Sequence, residues 1–131
     1  MNTSSYIIAL CALLLFDVAW INMHKTMYGD LIMSVQGSAP VYYLPGAIVC
    51  YACIYALIIL FVLPGFERDV NDGLCFWWAI GRVWLFGALV YAIYDFTSLT
   101  IYKSYTWQAA VMDALWGGTL FALVAVLAMP R

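Results

Sequence analysis

Charged residues are scarce in this chain. Only 9% of its 131 residues are Asp, Glu, Lys or Arg, whereas 67% are hydrophobic. Soluble domains carry about 25% charged residues, so the composition predicts a single-domain, multi-pass integral membrane protein surrounded by the lipid bilayer. The five basic residues and the net charge of −2 also argue against a nucleic-acid partner, because such partners require a basic surface.

Metal-binding residue types are equally scarce. His24 is the single histidine, which excludes a bis-histidine haem site within one chain. Cys50 and Cys53 form a CxxC inside an apolar run without a nearby histidine, whereas a structural zinc site needs four donors. We therefore expect no metal and no cofactor, and we interpret the cysteines as small apolar side chains packed in a helix.

Four apolar runs are long enough to cross a bilayer, and they predict an all-α integral membrane four-helix bundle. Their approximate limits are 6–23, 41–63, 74–102 and 107–129. Pro64 and Gly65 are expected to end the second span. The third span allows a second start near Val83, which leaves "LCFWWAIG" at the membrane interface.

The first apolar run lacks the features of a cleaved signal peptide. "MNTSSY" contains no Lys or Arg, and the run contains Asp17 and continues to Met23, so we expect a retained membrane helix. In the polar segment that follows, apolar residues recur at helical spacing, namely Met27, Leu31, Ile32 and Val35. This spacing predicts a short interfacial helix after the first span.

The basic residues do not fix the orientation of the bundle. Arg68 and Arg131 are expected on one side of the membrane, and Lys25 and Lys103 on the other. The positive-inside rule therefore gives a tie.

Three aspartates lie within the predicted spans, namely Asp17, Asp95 and Asp113. A charged carboxylate at the bilayer centre costs about 2.5–3.5 kcal/mol. With alternating spans and a rise of about 1.5 Å per residue, Asp17 lies roughly 10 Å and Asp113 roughly 9 Å below the same membrane edge. Asp95 lies at a similar or somewhat greater depth, so we predict that the three acids share one layer of the bundle.

Two of these acids are followed by a tryptophan three residues later. "DVAW" joins Asp17 to Trp20 and "DALW" joins Asp113 to Trp116, so each indole shares the helical face of its acid. Because the first and fourth spans are antiparallel, we expect the indoles on opposite sides of the acid layer, where they enclose a polar pocket. The predicted ligand or proton site comprises Asp17, Trp20, Tyr94, Asp95, Thr97, Asp113 and Trp116.

The acid layer has both a structural and a functional interpretation. Buried acids can hold helices together through Tyr, Thr and Ser hydroxyls, at about 0.6 kcal/mol for each hydrogen bond. Three acids without water also favour the uptake of a proton. Our first hypothesis is the handling of a proton, a cation or a small polar solute, with the chain acting as a homo-oligomer.

The alternative is a non-catalytic accessory subunit of a larger membrane complex. Arg82 is relevant to this hypothesis. Its side chain either pairs with an acid of the loop before it (Glu67, Asp69 or Asp72) or pairs with an acid of a partner subunit. A lipid-modifying enzyme is the weakest hypothesis, since no His, Lys or metal cluster accompanies the acid layer.

The order of these motifs resembles a bacterial family of small predicted membrane proteins, domain of unknown function 2177. That family shows D-x-x-W in its first span, Y-D-[LF]-T-N in its third and D-x-x-W-G in its fourth, with a basic residue and a Trp between the last two. Here Ser98 stands where the family has Asn, and Arg82 stands where an apolar residue is expected. The resemblance covers nearly the whole chain and implies a four-span fold without implying an activity.

Overall fold

The computed structural model describes residues 2–129, so Arg131 of the orientation balance lies outside the described residues. Within this range the chain is helical and contains no strand. The helices are α1 (Thr3–Met23), α2 (Lys25–Gln36), α3 (Leu44–Leu57), α4 (Leu63–Asn71), α5 (Phe76–Ile101) and α6 (Trp107–Ala128). A π-helical turn, Ile58–Val62, joins α3 to α4.

Four helical stretches are long and apolar enough to cross a membrane. They are α1, the continuous helix Leu44–Asn71, α5 and α6. The all-α, four-span prediction is therefore confirmed. α5 begins at Phe76 and runs through Val83 without a break, which favours the earlier of the two starts that the sequence allowed.

Short polar residues and a glycine define several helix ends. The Asn2 side chain accepts a hydrogen bond of 2.9 Å from the Ser5 N–H and begins α1, and Thr106 accepts one of 3.2 Å from the Ala109 N–H at the start of α6. Gly37 ends α2 with a φ of 75°, a conformation that only glycine adopts at little cost. Only His24 separates α1 from α2, so α2 is held close to the end of the first span.

The expectation that Pro64 and Gly65 end the second span is wrong. The helix passes through both residues and ends at Asn71, 28 residues after it begins at Leu44. Proline normally breaks a helix because it lacks an N–H and its ring clashes with the preceding turn. Here the wider turn Ile58–Val62 directly precedes Leu63 and Pro64, and this local change of hydrogen-bond spacing accommodates the proline.

α6 is the central helix of the bundle, and it packs between α5 and α1. Its glycines allow this approach, because a Cβ on Gly118 would lie 2.7 Å from Trp84, and one on Gly117 would overlap the ring of Tyr91. Small residues at helix interfaces let the backbones approach closely where lipid provides no hydrophobic driving force.

The bundle has an apolar half and a polar half. We call the side where α1 ends, α2 lies and α6 begins the α2 side, and the opposite side the α4 side. The α4-side half contains the apolar core, which includes Leu13, Val62, Phe66 and Phe121. The three aspartates of the spans lie in the α2-side half, towards the end of α1, the end of α5 and the start of α6.

Candidate functional site

Three different helices supply the aspartates of the α2-side half. Asp17 of α1 is 7% exposed and Asp95 of α5 is 0% exposed, whereas Asp113 of α6 is partly buried. The electrostatic neighbours of Asp113 include both Asp17 and Asp95. The structure thus brings the three predicted acids together.

Asp17 is held by two donors from two other helices. The Tyr51 hydroxyl of α3 donates to Asp17 Oδ2 at 2.6 Å, and the Trp116 indole of α6 donates to Asp17 Oδ1 at 3.0 Å. Each carboxyl oxygen therefore has a donor, and the residue ties α1, α3 and α6 together. The sequence did not identify Tyr51 as a partner of Asp17, because α3 is apolar on all sides and no face of it stands out.

Asp113 receives its donor from the interfacial helix. The Tyr28 hydroxyl of α2 donates to Asp113 Oδ1 at 2.6 Å, and it accepts a hydrogen bond of 2.9 Å from the Trp20 indole. Tyr28 was missed in the sequence analysis. It precedes Leu31 by three residues, and this spacing places it on the apolar face of α2 and could have identified it.

Asp95 has one satisfied and one unsatisfied oxygen. The Tyr105 hydroxyl, from the loop between α5 and α6, donates to Asp95 Oδ1 at 2.5 Å. Asp95 Oδ2 is buried and has no hydrogen-bond partner. Tyr105 was also missed, although it lies in the short loop that connects the helices of Asp95 and Asp113. We refer to the three aspartates with Trp20, Tyr28, Tyr51, Tyr105 and Trp116 as the acid network.

Tyr28 and Tyr105, the two tyrosines of the acid network that lie outside the spans, act as hydrogen-bond donors to the acids. Burial is the main cause that raises the pKa of the Tyr28 hydroxyl above its usual range, and the hydrogen bond to Asp113 raises it further. Burial also raises the pKa of Tyr105, with the hydrogen bond to Asp95 as the next cause. Both hydroxyls thus keep their protons at physiological pH.

No basic side chain between residues 2 and 129 forms an ion pair or hydrogen bond with any of the three aspartates. The His24 ring lies against Trp20, with its Nδ1 at 3.0 Å from the Trp20 carbonyl oxygen. Arg82 pairs instead with Asp69, with Nη1 at 2.9 and 3.0 Å from the two carboxyl oxygens. Because its side chain is 66% exposed, this is a surface ion pair at the α4 side.

The tryptophans of the two D-x-x-W motifs are arranged differently from the expectation. The rings of Trp20 and Trp116 stack on each other, with centroids 4.5 Å apart and an interplanar angle of 3°. Side chains on a helix lean towards its N-terminus. Since α1 and α6 are antiparallel, the two indoles lean towards each other, so they do not lie on opposite sides of the acid layer.

Tyr94 and Thr97 do not face the acid network. Tyr94 is 69% exposed and Thr97 is also exposed, so both lie on the outer surface of α5. In "YDFTS", Asp95 and Ser98 are the buried residues. Asp95 and Ser98 therefore face the interior of the bundle, whereas Tyr94 and Thr97 face outwards.

The described residues offer little to a metal ion. Within 2–129, no group of three or more His, Cys, Asp or Glu side chains is arranged so that it could hold one. Tyrosine and tryptophan donors occupy four oxygens of the three carboxyl groups. Cys50 and Cys53 are free and exposed on α3.

Four apolar spans around a buried group of acids define a polytopic helical membrane protein. The family model described as "Predicted membrane protein (DUF2177)" matches residues 2–130. The chain belongs to this family, a membrane domain of unknown function, and is a multi-pass integral membrane protein, so the resemblance seen in the motifs is confirmed. Comparison with curated proteins and with solved structures gave no match.

Proposed function

We propose that this protein binds and releases protons at its acid network, in exchange with the water on the α2 side. The main support for the proposal is that hydrogen bonds connect the buried acids to residues outside the spans. Tyr28 and Tyr105, which lie outside the spans, donate to Asp113 and Asp95 inside them. Three neighbouring carboxyl groups without a basic partner are costly as anions in a low-dielectric interior, and protons are the means of neutralising them.

The arrangement favours a proton over a metal cation or a polar solute. A cation requires free carboxyl oxygens as ligands, and here most of these oxygens already accept hydrogen bonds from phenol and indole groups. A proton needs only one oxygen and little additional volume. The donors that surround the acids are compatible with its binding and release.

Open hollows on the α2 side provide the access that such exchange needs. Tyr105 lines a hollow of about 640 Å³ together with Lys103 and Trp107. A second hollow of about 400 Å³ lies between α2 and the start of α6, where Asp30 and Ser104 line it. Water in the first hollow can reach Tyr105, whereas the apolar core of the α4-side half opposes passage across the whole membrane.

Proton uptake by the purified protein in lipid nanodiscs tests this proposal. After a jump between pH 9 and pH 5, a soluble pH dye reports the protons bound per chain. We expect the triple variant Asp17→Asn, Asp95→Asn, Asp113→Asn to bind about one proton fewer than the wild type. The control variant Asp72→Asn removes an exposed carboxyl group at the end of α4 instead and should take up as many protons as the wild type. Equal uptake by the wild type and the triple variant refutes the proposal.

A role as an accessory subunit is the second candidate, and one observation favours it. α3, the first half of the continuous helix, contains no buried residue. Its polar ties to the rest of the bundle are the Tyr51 bond to Asp17 and a 2.9 Å bond from Tyr55 to the Tyr6 carbonyl oxygen. A helix from another membrane subunit could cover this exposed surface.

Native mass spectrometry of the protein released from its own membrane distinguishes the two candidates. A stoichiometric complex with other membrane chains supports the accessory role. Detection only as a monomer or a homo-oligomer contradicts it and is compatible with proton binding by the chain itself.

A further inference from the structure

Asp95 Oδ2 is an unusual atom in this bundle. It belongs to a side chain that is 0% exposed, and it has neither a hydrogen-bond donor nor a basic partner. A buried acceptor without a donor is destabilising, and more so when the group is charged. Some other group must therefore satisfy this oxygen.

The neighbouring carboxyl group of Asp113 is in the right place. Tyr28 donates to Asp113 Oδ1 and leaves its second oxygen without a donor among the described side chains. The carboxyl groups of Asp95 and Asp113 are direct neighbours that interact with each other. Two adjacent carboxylates repel each other, whereas a single proton between them supplies the missing donor and removes one negative charge.

We infer that Asp95 and Asp113 are the proton-binding pair of the acid network and share one proton, whereas Asp17 is a structural acceptor. The inference rests on the proposed function and assigns its site to two of the three acids. Asp17 differs from the pair because Tyr51 and Trp116 already satisfy both of its oxygens. The order of groups along the pair is Tyr28, Asp113, the shared proton, Asp95 and Tyr105.

The titratable side chains that interact with the two carboxyl groups themselves are acids and phenols. Asp17 faces the pair from α1, Tyr28 from α2, Tyr91 from α5 and Tyr105 from the loop before α6. On α3, Tyr51 and Cys50 neighbour Asp17.

Two basic residues neighbour the tyrosines instead: the His24 ring lies 6.4 Å from that of Tyr28, and Lys103 lines the hollow of Tyr105. Since no group that interacts with the two carboxyl groups themselves brings a positive charge, only a proton neutralises the pair.

Infrared spectroscopy of the protein in nanodiscs tests the inference, because a protonated carboxyl group has its own C=O stretching band. We expect the wild type at pH 7 to show this band at an intensity of about one proton per chain. Asp95→Asn and Asp113→Asn should each abolish this band. In either variant the carboxamide N–H donates the hydrogen bond that the shared proton provided, so the remaining carboxyl group no longer needs the proton. The matched variant Asp17→Asn should keep the band.

A milder pair of variants covers the case in which the asparagine variants do not fold. Tyr105→Phe removes the donor to Asp95 Oδ1, so the ionised pair loses a stabilising hydrogen bond. We expect the band to persist to a pH higher by about one unit. Tyr42→Phe, the same change at an exposed position outside the acid network, should leave the pH dependence of the band unchanged.

The possible results separate this inference from the proposed function. If proton uptake depends on the acids but the band disappears only in Asp17→Asn, the proton lies elsewhere and the inference alone fails. If the band follows Asp95 and Asp113 but persists at every pH, with no uptake after a pH jump, the shared proton is static. The pair then stands and the proposed function fails.

Discussion

The indole of Trp116 connects Asp17 to the groups around Asp113, because it donates to Asp17 and stacks on Trp20. The stacked rings lie 4.5 Å apart between centroids, and the N–H of Trp116 lies 3.0 Å from Asp17 Oδ1. Trp20 in turn donates to Tyr28, the partner of Asp113. Through these two rings, the position of the interfacial helix α2 is linked to a carboxyl group within the first span.

Tyr51 is expected to contribute to stability through its hydrogen bond to Asp17. Tyr51→Phe leaves a buried carboxyl oxygen without its donor, so the free energy of unfolding should fall by about 1–2 kcal/mol. Steric trapping in lipid bicelles measures this value. Tyr42→Phe, the same change at an exposed position just before α3, should alter it by less than about 0.5 kcal/mol. Equal losses in the two variants would argue against the Tyr51–Asp17 bond.

Gly117 is expected to be intolerant of any side chain. A Cβ at this position overlaps the ring of Tyr91, so Gly117→Ala must separate α5 from α6 and should cost about 2–3 kcal/mol of unfolding free energy. Gly81→Ala is the matched control, because a Cβ there meets nothing within 4 Å. Alanine is the better helix former, so this control should stabilise α5 by up to about 1 kcal/mol. Thermal unfolding in detergent gives both values, and a stable Gly117→Ala protein contradicts the close helix contact.

The raised pKa values of Tyr28 and Tyr105 predict a loss of stability at alkaline pH. In the unfolded chain a tyrosine ionises near pH 10, whereas the folded protein holds both hydroxyls neutral to higher pH because they are buried and bonded to acids. Their stabilising effect is therefore complete below about pH 10 and is lost as the pH rises towards the folded-state values. The midpoint of unfolding between pH 9 and pH 12 measures it.

The double variant Tyr28→Phe, Tyr105→Phe is the test of this alkaline effect. It should be less stable than the wild type at pH 8, because both acids lose a donor. It should also lose less stability between pH 10 and pH 12, because neither phenylalanine ionises. If both proteins show the same slope with pH, these two hydroxyls are not the groups responsible.

The Arg82–Asp69 ion pair is expected to contribute little. The Arg82 side chain is 66% exposed, and exposed ion pairs contribute about 0–1 kcal/mol. A double-mutant cycle with Arg82→Gln and Asp69→Asn should therefore give a coupling energy below about 1 kcal/mol. A coupling above about 2 kcal/mol would mean that the pair is shielded from water, as it would be by a partner subunit.

The sequence was sufficient to predict the span number and the common position of the acids. Hydrophobic run lengths define the spans, and the alternation of direction places Asp17, Asp95 and Asp113 near one membrane side. The fixed rise of a helix then sets their similar depths. The number of spans and the depths of the acids depend only on run lengths and on the regular geometry of a helix, and both can be obtained from the sequence.

The partners of the acids could not be predicted in the same way. Tyr28 and Tyr105 reach the acids from outside the spans, so their contacts depend on how α2 and a short loop fold back over the bundle. Tyr94 and Thr97 lie within two positions of Asp95 in the sequence, yet residues one or two positions apart on a helix point in different directions. Pro64 illustrates the same limit, since its effect depends on the hydrogen-bond spacing of the turn before it.

The placement of the acids in only one half of the bundle also determines their response to membrane voltage. A charge that crosses the full hydrocarbon thickness of about 30 Å changes energy by about 2.3 kcal/mol per 100 mV. Asp113 lies six positions after Trp107 in α6, a depth of roughly 9 Å, so the proposed binding of a proton there would sense about 0.7 kcal/mol per 100 mV. A tenfold change in proton concentration amounts to about 1.4 kcal/mol, so the proposed proton exchange would respond more strongly to acidity on the α2 side than to voltage.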